Sequence, residues 1–236
     1  MNIGIISDIH GNNEALEAVL EKLDHTDFII CAGDIVGHGP NPEEVIGLLK
    51  KNNIIAVKGN YDDAVAKIMD DCGCLFDPVE IRKKSLEWTI RKTSKEGKKY
   101  LTSLPVILEA VFTDPSFRLF MTHASPHSMT EYLDSREKIE HAFKDSRADV
   151  VIFGHTHKPR IEKIGNAIYI NPGSVGEPRD GNADASYAIL DTQTMEAKIE
   201  RIAYDVNTVA DRIMKHKLPE EIASIFRTGK VPWEDV

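Results

Sequence analysis

"NIGIISDIH", residues 2–10, is a short apolar run that ends in polar side chains. The run is rich in β-branched isoleucine, which is typical of a buried strand. Asp8 and His10 follow it, two positions apart. Residues i and i+2 of an extended segment share a face, so both side chains can reach one metal ion. The stretch therefore predicts a first strand with part of a metal site at its carboxyl end.

Four later apolar runs end in the same way. They are Phe28–Cys31 before "AGD", Ile54–Val57 before "KGN", Phe117–Met121 before "THA", and Val150–Phe153 before "GHTH". Helical periodicity separates the first three runs, over residues 12–23 and 42–51. Strands that alternate with helices favour an α/β fold with a mostly parallel sheet, in which ligands bind at the carboxyl ends of the strands. Five polar clusters at such ends predict one shared site.

Length and composition limit the class of protein. The 236 residues suit one domain, expected to span 1–236, and a hydrophobic fraction of 42% predicts a packed core. The formal net charge of −9 argues against non-specific nucleic-acid binding, which needs a basic surface. A small phosphorylated substrate stays compatible with this charge, because bound cations reverse the local potential.

The cysteines and the first residues indicate the cellular setting. The three cysteines are Cys31, Cys72 and Cys74, an odd number whose spacing matches no zinc knuckle, so a reducing compartment is expected. Residues 1–7 have no basic flank and no cleavage site, which favours a first strand over a signal peptide. Since no apolar stretch approaches the roughly 20 residues needed to span a bilayer, we predict a cytoplasmic protein without a membrane partner.

The remaining chain divides into three parts. Residues 64–104 are rich in Lys and Glu and predict a helical insertion in the main domain. Residues 106–203 are strand-rich, with one helix over 136–144. An amphipathic helix over 205–215 and a short polar tail form a C-terminal helical tail of about 205–236.

Seven side chains at the strand ends make a candidate ligand set of two carboxylates, one amide and four imidazoles. They are Asp8, His10, Asp34, Asn60, His123, His155 and His157. A carboxylate flanked by imidazoles can bridge two divalent ions roughly 3.5–4 Å apart, which activate a water for displacement at phosphorus. Oxygen and nitrogen ligands without thiolate favour Mn²⁺, Fe, Co²⁺ or Zn²⁺. The preceding glycines, Gly33, Gly59 and Gly154, are expected to let the backbone turn sharply.

The order of these motifs resembles a known superfamily. The series Asp8-x-His10, Gly33-Asp34-x-x-Gly37, Gly59-Asn60, His123 and Gly154-His155-x-His157 is similar to that of the calcineurin-like metallophosphoesterases. "NPGSVGEPRDG" at 171–181 and "SYAILD" at 186–191 extend the resemblance to about residue 191. The branch it resembles contains small prokaryotic phosphodiesterases and diadenosine-tetraphosphatase-like proteins. The resemblance implies a four-layer α/β/β/α sandwich with a dinuclear metal site.

The resemblance also implies a role for each ligand. One metal would be held by Asp8, His10 and His157, and the other by Asn60, His123 and His155. Asp34 would bridge the two metals together with a water or hydroxide that attacks phosphorus. The metals and Asn60 would stabilise the charge on the phosphoryl oxygens. Two divalent ions are expected, with manganese favoured and iron, zinc and cobalt left open.

Two positions depart from the pattern that the resemblance implies. Members of the superfamily usually continue Gly-Asn with a histidine that protonates the leaving oxygen or orients phosphate, and here the residue is Tyr61. Such an acid contributes roughly 10²–10⁴-fold. The segment after Asp34 reads "GHGP" at 37–40, where the branch it resembles commonly has Gly-Tyr-Gly-Pro. We hypothesise that His38 supplies an imidazole to the same pocket. The alternatives are that His38 is a solvated loop residue or that His127 supplies the imidazole.

Arg179, in "GEPRDG", has two interpretations. A guanidinium matches phosphate geometry and would bind the substrate, or it forms a structural salt bridge to Asp180 or Asp184.

The leading functional interpretation is metal-dependent hydrolysis of a small phosphodiester, phosphomonoester or nucleotide. The alternatives are a protein Ser/Thr phosphatase and a non-catalytic metal-binding interaction module of the same fold. Filled ligand positions throughout the series favour the enzyme. The sequence leaves a homo-oligomer open.

Overall fold

A computed structural model describes residues 1–233 and contains two five-stranded sheets. The strands are β1 Asn2–Ile6, β2 Phe28–Cys31, β3 Ile55–Ala56, β4 Ile107–Thr113, β5 Ser116–Thr122, β6 Val150–Ile152, β7 Arg160–Ile164, β8 Ala167–Asn171, β9 Ala185–Asp191 and β10 Glu196–Ile202. The helices are α1 Asn13–Lys22, α2 Pro42–Lys51, α3 Asn60–Lys67, α4 Val79–Lys92, α5 Lys95–Ser103, α6 Arg136–Ala142, α7 Val206–Lys215 and α8 Glu220–Thr228.

Both sheets are mixed, which corrects the expectation of one mostly parallel sheet. The first has the order β10-β9-β1-β2-β3, and the second has the order β4-β5-β6-β8-β7. Within them β1, β2 and β3 are parallel to one another, as are β5, β6 and β8. Short turns join β4 to β5, β7 to β8 and β9 to β10, and such connections force antiparallel pairing. The strands that precede candidate ligands are therefore the parallel ones.

The two sheets pack against each other and carry helices outside, which confirms the predicted four-layer α/β/β/α arrangement. The core between them joins Ile5 and Ile30 of the first sheet to Leu119 and Ile152 of the second. On the outer face of the first sheet, α1 and α2 bury residues such as Leu16 and Val45. On the outer face of the second sheet, α6 packs through Ile139.

Local signals explain the two helices that lie beside the first strands. Asn12 caps α1, because its side chain accepts a hydrogen bond from the Ala15 N–H at 3.1 Å. Pro42 starts α2, where the missing N–H of proline is not needed. Each helix returns the chain so that the next strand lies parallel to the last.

The helical parts differ from expectation at their ends. Asn60, a candidate ligand, is already the first residue of α3, so helix begins four residues before the predicted insertion. The segment after α7 contains α8, which buries Ile222 and Phe226 in a cluster with Trp88, rather than a short polar tail. Residues 234–236 of the predicted tail lie outside the described residues. Within residues 1–233, no helix combines the length and the apolar character required to cross a membrane.

Candidate metal centre

The seven predicted ligands converge at one edge of the two sheets. They follow β1 (Asp8 and His10), β2 (Asp34), β3 (Asn60), β5 (His123) and β6 (His155 and His157). Every one of these residues is at most 4% exposed. Sequence reasoning therefore identified residues that the fold brings together.

Asp8, His10 and His157 form a first group whose ligand atoms lie within 4.8 Å of one another. His157 Nε2 is 3.4 Å from Asp8 Oδ1 and 3.2 Å from His10 Nε2. Three ligand atoms at these separations can surround one cation.

Asp34, His123 and His155 form a second group of the same kind. His123 Nε2 lies 3.3 Å from Asp34 Oδ2 and 3.2 Å from His155 Nδ1. Asn60 Oδ1 joins this group, 3.1 Å from His123 Nε2.

A single oxygen of Asp34 lies between the two groups. Its Oδ2 is 3.3 Å from His123 Nε2 in the second group and 3.6 Å from His10 Nε2 in the first. Its other oxygen, Oδ1, accepts a hydrogen bond from the Tyr61 N–H at 2.9 Å, which fixes the orientation of the carboxylate. This is the position that a bridging ligand requires.

The donor set fits divalent cations. His157 Nδ1 donates to the Glu177 carbonyl at 2.6 Å, and His123 Nδ1 donates to the Ala32 carbonyl at 2.8 Å. A proton on each Nδ1 leaves the Nε2 lone pair facing the group, as in zinc and manganese sites whose histidines are held from behind. Asp8 Oδ1 is buried without a hydrogen-bond partner in the described structure, and a cation at this position would satisfy it.

The pKa shifts of the candidate ligands also favour a bound cation. Burial lowers the pKa of His10 to about 4 and that of His155 to about 3, so both imidazoles are neutral near pH 7 and able to bind metal. Burial disfavours a charged His123, but the Asp34 carboxylate outweighs it and raises the pKa of His123 to about 9, so a cation bound at its Nε2 would replace a proton there. The pKa of Asp8 rises to about 7, through burial and the neighbouring Asp34 carboxylate. Positive charge is therefore favoured between these groups.

The backbone at the centre is strained. Asp8, His10, Asp34, His155 and His157 all have a positive φ, between 47° and 66°. A non-glycine residue in this region costs on the order of 1–3 kcal/mol and persists where the surroundings impose it. Five such residues in one ligand set are expected for a functional site rather than for a set of ordinary turns.

The glycines before the ligands act in two ways, which corrects the prediction of sharp turns at all three. Gly33 has a φ of +92°, so it needs left-handed freedom. Gly59 has a φ of −91° and needs no such freedom. Instead, a Cβ at Gly59 would lie 2.7 Å from Asp34 Cγ, and one at Gly154 would lie 2.6 Å from Asp8 Oδ2. These two glycines leave space for the carboxylates.

Asp62 holds the loop after β2 against the start of α3, and sequence reasoning gave it no role. Its Oδ1 accepts from the N–H groups of Ile35 and Val36 at 3.0 and 3.1 Å, and its Oδ2 accepts from the Gly59 N–H at 2.9 Å. Its position at N3 of α3 is that of the acidic member of a capping box. We call these three hydrogen bonds the Asp62 clasp, and they fix the positions of Asp34 and Asn60 relative to each other.

Tyr61 and His38 meet beside the first group. Tyr61 Oη is 2.5 Å from His38 Nε2, and the His38 ring stacks on that of His10 with 5.1 Å between centroids. His38 is 1% exposed, so it is not a solvated loop residue. Its Nδ1 lies 2.9 Å from both carboxylate oxygens of Glu177. Burial raises the pKa of Tyr61 well above its ordinary value, which keeps the hydroxyl protonated.

Arg179 is buried and bound to two carboxylates that the sequence did not suggest. It pairs with Asp77 at 3.1 Å and with Glu177 at 3.0 Å, rather than with Asp180 or Asp184. Asp180 pairs with Arg201 instead.

His127 lies apart from the candidate ligands. It is exposed and lines a surface cavity together with residues such as Arg118.

Glu177 and Asp77 are the functional candidates that the sequence did not reveal. Glu177 holds His157 through its carbonyl and His38 through its carboxylate. Its only sequence signal is a place in "NPGSVGEPRDG", a motif that already extends the resemblance. Asp77 stands in an irregular segment with no signal of its own, and both residues are at most 2% exposed.

Comparisons with known proteins agree with this geometry. Residues 1–195 match the family model described as the calcineurin-like phosphoesterase superfamily domain. The MJ0912 protein of Methanocaldococcus jannaschii is 35% identical, covering 97% of this chain and 98% of its own. The phosphodiesterase YfcE of Escherichia coli is 30% identical, covering 83% and 90%. A metallophosphoesterase from Sphaerobacter thermophilus is 30% identical with a TM-score of 0.82, covering 97% of this chain and 100% of that chain.

Proposed function

This chain belongs to the calcineurin-like phosphoesterase superfamily and is a metallophosphoesterase, and we propose that it hydrolyses small phosphodiesters at a dinuclear metal centre. The observation that carries the proposal is the place of Asp34 Oδ2, within 3.6 Å of an imidazole nitrogen from each ligand group. A phosphodiesterase relative that is 30% identical supports the choice of diesters. Phosphomonoesters and nucleotides are the neighbouring substrate classes to be compared.

The seven ligands are assigned to two metal positions. One ion would be held by Asp8, His10 and His157, the other by Asn60, His123 and His155, and Asp34 would be shared between them. When bound, two divalent ions supply a polarised water as nucleophile and neutralise the phosphoryl oxygens. We propose manganese as the favoured ion, because the set has oxygen and imidazole ligands and no thiolate.

His38 and Tyr61 are proposed to deliver a proton to the leaving oxygen. Glu177 accepts from His38 Nδ1 at 2.9 Å, which aims Nε2 at the Tyr61 hydroxyl 2.5 Å away. Starting from the imidazolium form of His38, the Tyr61 O–H gives its proton to the leaving oxygen while His38 Nε2–H replaces it. The leaving group then departs as an alcohol, and His38 and Tyr61 end as neutral imidazole and neutral phenol. The pair stands in for the histidine that the superfamily usually has after Gly-Asn.

Variants of this pair test the proton route. His38→Ala should lower kcat by roughly 10²-fold for esters with poor leaving groups and far less for aryl esters, since only a poor leaving group needs an acid. His127→Ala is the matched control, because that histidine is exposed. Tyr61→His should raise turnover of poor-leaving-group esters. Rates and pH profiles of His38→Ala equal to those of His127→Ala would refute the route.

The activity itself is tested with paired aryl substrates. Metal-stripped protein is reloaded with Mn²⁺, Fe²⁺, Co²⁺ or Zn²⁺ and assayed on an aryl phosphomonoester and the matching diester. The proposal expects hydrolysis, fastest with Mn²⁺ and with the diester. Absence of hydrolysis with every ion would instead favour the non-catalytic metal-binding module.

The setting proposed for this activity follows from charge and cysteine content. A net charge of −9 supports a small phosphorylated substrate rather than non-specific nucleic-acid binding. Three free cysteines support a reducing compartment, which we propose is the cytoplasm. We leave a homo-oligomer as a further proposal, which sedimentation tests directly.

A further inference from the structure

An irregular segment, residues 68–78, crosses the metal centre between α3 and α4, and we call it the covering segment. The Cys72 carbonyl accepts a hydrogen bond from Asn60 Nδ2 at 3.3 Å, so the segment touches a candidate metal ligand. Phe76 stacks on Tyr132 with 5.4 Å between ring centroids, and Tyr132 in turn lies edge-on to His155 at 5.6 Å.

The covering segment closes the site in this conformation. Its inner side chains, Cys72, Cys74 and Asp77, are at most 5% exposed, whereas Leu75 between them is 92% exposed. The ligands beneath are at most 4% exposed. A phosphate ester therefore cannot reach the ligands in this conformation, and the segment that contacts Asn60 and stacks on Tyr132 is the element that we expect to move.

The backbone where the covering segment begins has an unfavourable conformation. Ile68, at the C-terminal end of α3, has a φ of +57°, a conformation that is costly for a β-branched residue. Gly73 in the middle of the segment has a φ of +75°. Cys72, Phe76 and Asp77 hold the inner side of the segment. Arg82 of α4 holds its other end, because it donates to the carbonyls of Cys74 and Asp77.

Asp77 places a carboxylate between two groups that bind anions. Its Oδ1 is 3.1 Å from Arg179 Nη1, and its Oδ2 is 3.2 Å from Arg179 Nη2. The same Oδ2 lies 3.7 Å from His38 Nε2. A guanidinium is the group with which proteins bind phosphate oxygens bidentately. The His38 ring borders the same position, while its Nε2 faces Tyr61.

This anion position adjoins the metal centre. The His38 ring stacks on ligand His10 at 5.1 Å. Glu177, which pairs with Arg179 at 3.0 Å, holds ligand His157 through its carbonyl at 2.6 Å. The His38 side chain therefore lies between the Asp77 carboxylate and His10 of the first ligand group.

The pairing of Asp77 with Arg179 leaves hydrogen-bonding capacity unused. Arg179 is 3% exposed, and its Nε has no hydrogen-bond partner within residues 1–233. Asp77 Oδ1 is also buried and makes no hydrogen bond, although it lies in ion-pair range. Buried polar atoms are normally satisfied, so a ligand with more acceptor oxygens than a carboxylate would use this site better.

We propose that Asp77 occupies a subsite for an anionic phosphoryl group of the substrate, formed by Arg179 and His38, and that substrate displaces it together with the covering segment. The inference rests on the proposed phosphoesterase function and adds the substrate's anchor to it. It also gives Arg179 a role in phosphate binding that its closed-state ion pair conceals. The covering segment thus inhibits the site until a phosphoryl group competes with Asp77.

Binding of inorganic phosphate to the Mn²⁺-loaded protein tests the competition. Asp77→Asn removes the competing charge at nearly constant volume, and calorimetry should show phosphate binding about tenfold to a hundredfold tighter, the worth of hydrogen bonds to a charged group. Asp70→Asn makes the same charge change at an exposed site of the same segment and should leave the Kd at the wild-type value. Arg179→Gln should weaken binding by a similar factor.

Thiol labelling gives a second readout that does not depend on Arg179→Gln folding. Cys72 and Cys74 are buried on the inner side of the segment itself, and Cys31 in the core is the internal control. Saturating phosphate should speed maleimide labelling of Cys72 and Cys74 but not of Cys31, and Asp77→Asn should label fast without phosphate. A phosphate Kd for Asp77→Asn equal to or weaker than that of Asp70→Asn would overturn the inference, as would unchanged labelling in saturating phosphate.

The binding result is separable from catalysis. Tighter phosphate binding in Asp77→Asn with no ester hydrolysis by any metal-loaded form would reject the proposed function and keep the subsite. Hydrolysis by the wild type together with an unchanged phosphate Kd in Asp77→Asn would keep the proposed function and reject the subsite.

Discussion

Gly59→Ala should damage the metal centre without altering any ligand. A Cβ at this position would lie 2.7 Å from Asp34 Cγ and closer still to its Oδ1, whereas ordinary contacts begin at 3.4 Å. The Asp34 carboxylate must therefore move by on the order of 1 Å, and a displacement of that size can cost about 10²-fold in rate. Forcing the extra methyl group into a packed site should also cost roughly 1–3 kcal/mol of the free energy of unfolding.

Two assays measure this change against a matched control. Hydrolysis of an aryl diester gives kcat, and calorimetric titration with Mn²⁺ gives the metal affinity, which should fall about 10–100-fold as it does when the groups supporting a ligand are lost. Gly47→Ala is the control, because nothing lies within 4 Å of a Cβ there and the position is inside α2. It should raise stability by about 0.5–1 kcal/mol. Equal kcat and metal affinity for the two variants would refute the argument that Gly59 makes room for Asp34.

Other predictions follow from the clasp and from the ions. Asp62→Asn turns an amide N–H toward N–H groups that now donate to the Asp62 carboxylate. The free energy of unfolding, measured by urea titration, should fall by about 1–3 kcal/mol. An unchanged midpoint would show that these hydrogen bonds are dispensable. Chelation should lower the unfolding temperature and excess Mn²⁺ should restore it, with about 2.7 kcal/mol of stabilisation at a concentration 100 times the Kd. No shift on chelation would mean that ions do not bind the folded state.

Local signals in the sequence predicted much of the fold. β2 was predicted over Phe28–Cys31 and α2 over Pro42–Lys51, and both have those bounds in the structure. An apolar run bounded by polar residues and a proline at a helix start act within a few residues, so one sequence reveals them. The seven candidate ligands were recognised for the same reason, because each stands directly after such a run.

Long-range contacts were the part that one sequence could not reveal. Glu177, Asp77 and Asp62 look like ordinary acidic loop or helix residues, yet each is at most 2% exposed because distant N–H or cationic groups meet it in the fold. The prediction that Arg179 would pair with Asp180 or Asp184 was wrong for the same reason, since its partner Asp77 lies 102 residues away along the chain. The start of α3 was missed because Gly-Asn is usually a turn signal, whereas here Asp62 caps a helix.

The polar tail was a different kind of error. The segment after α7 has a helical apolar pattern in Ile222, Ile225 and Phe226, but its charged residues concealed that pattern. Its stability comes from packing on α7 and Trp88, which a local pattern does not show.

The bridging position of Asp34 is tested most directly by counting and coupling the ions. Metal-stripped protein is reloaded with Mn²⁺, its metal content is measured by mass spectrometry, and its electron paramagnetic resonance spectrum is recorded. The structure predicts two Mn²⁺ per chain with the spectrum of a coupled pair, and loss of that coupling in Asp34→Asn. One Mn²⁺ per chain, or two uncoupled ions in the wild type, would contradict a dinuclear centre bridged by Asp34.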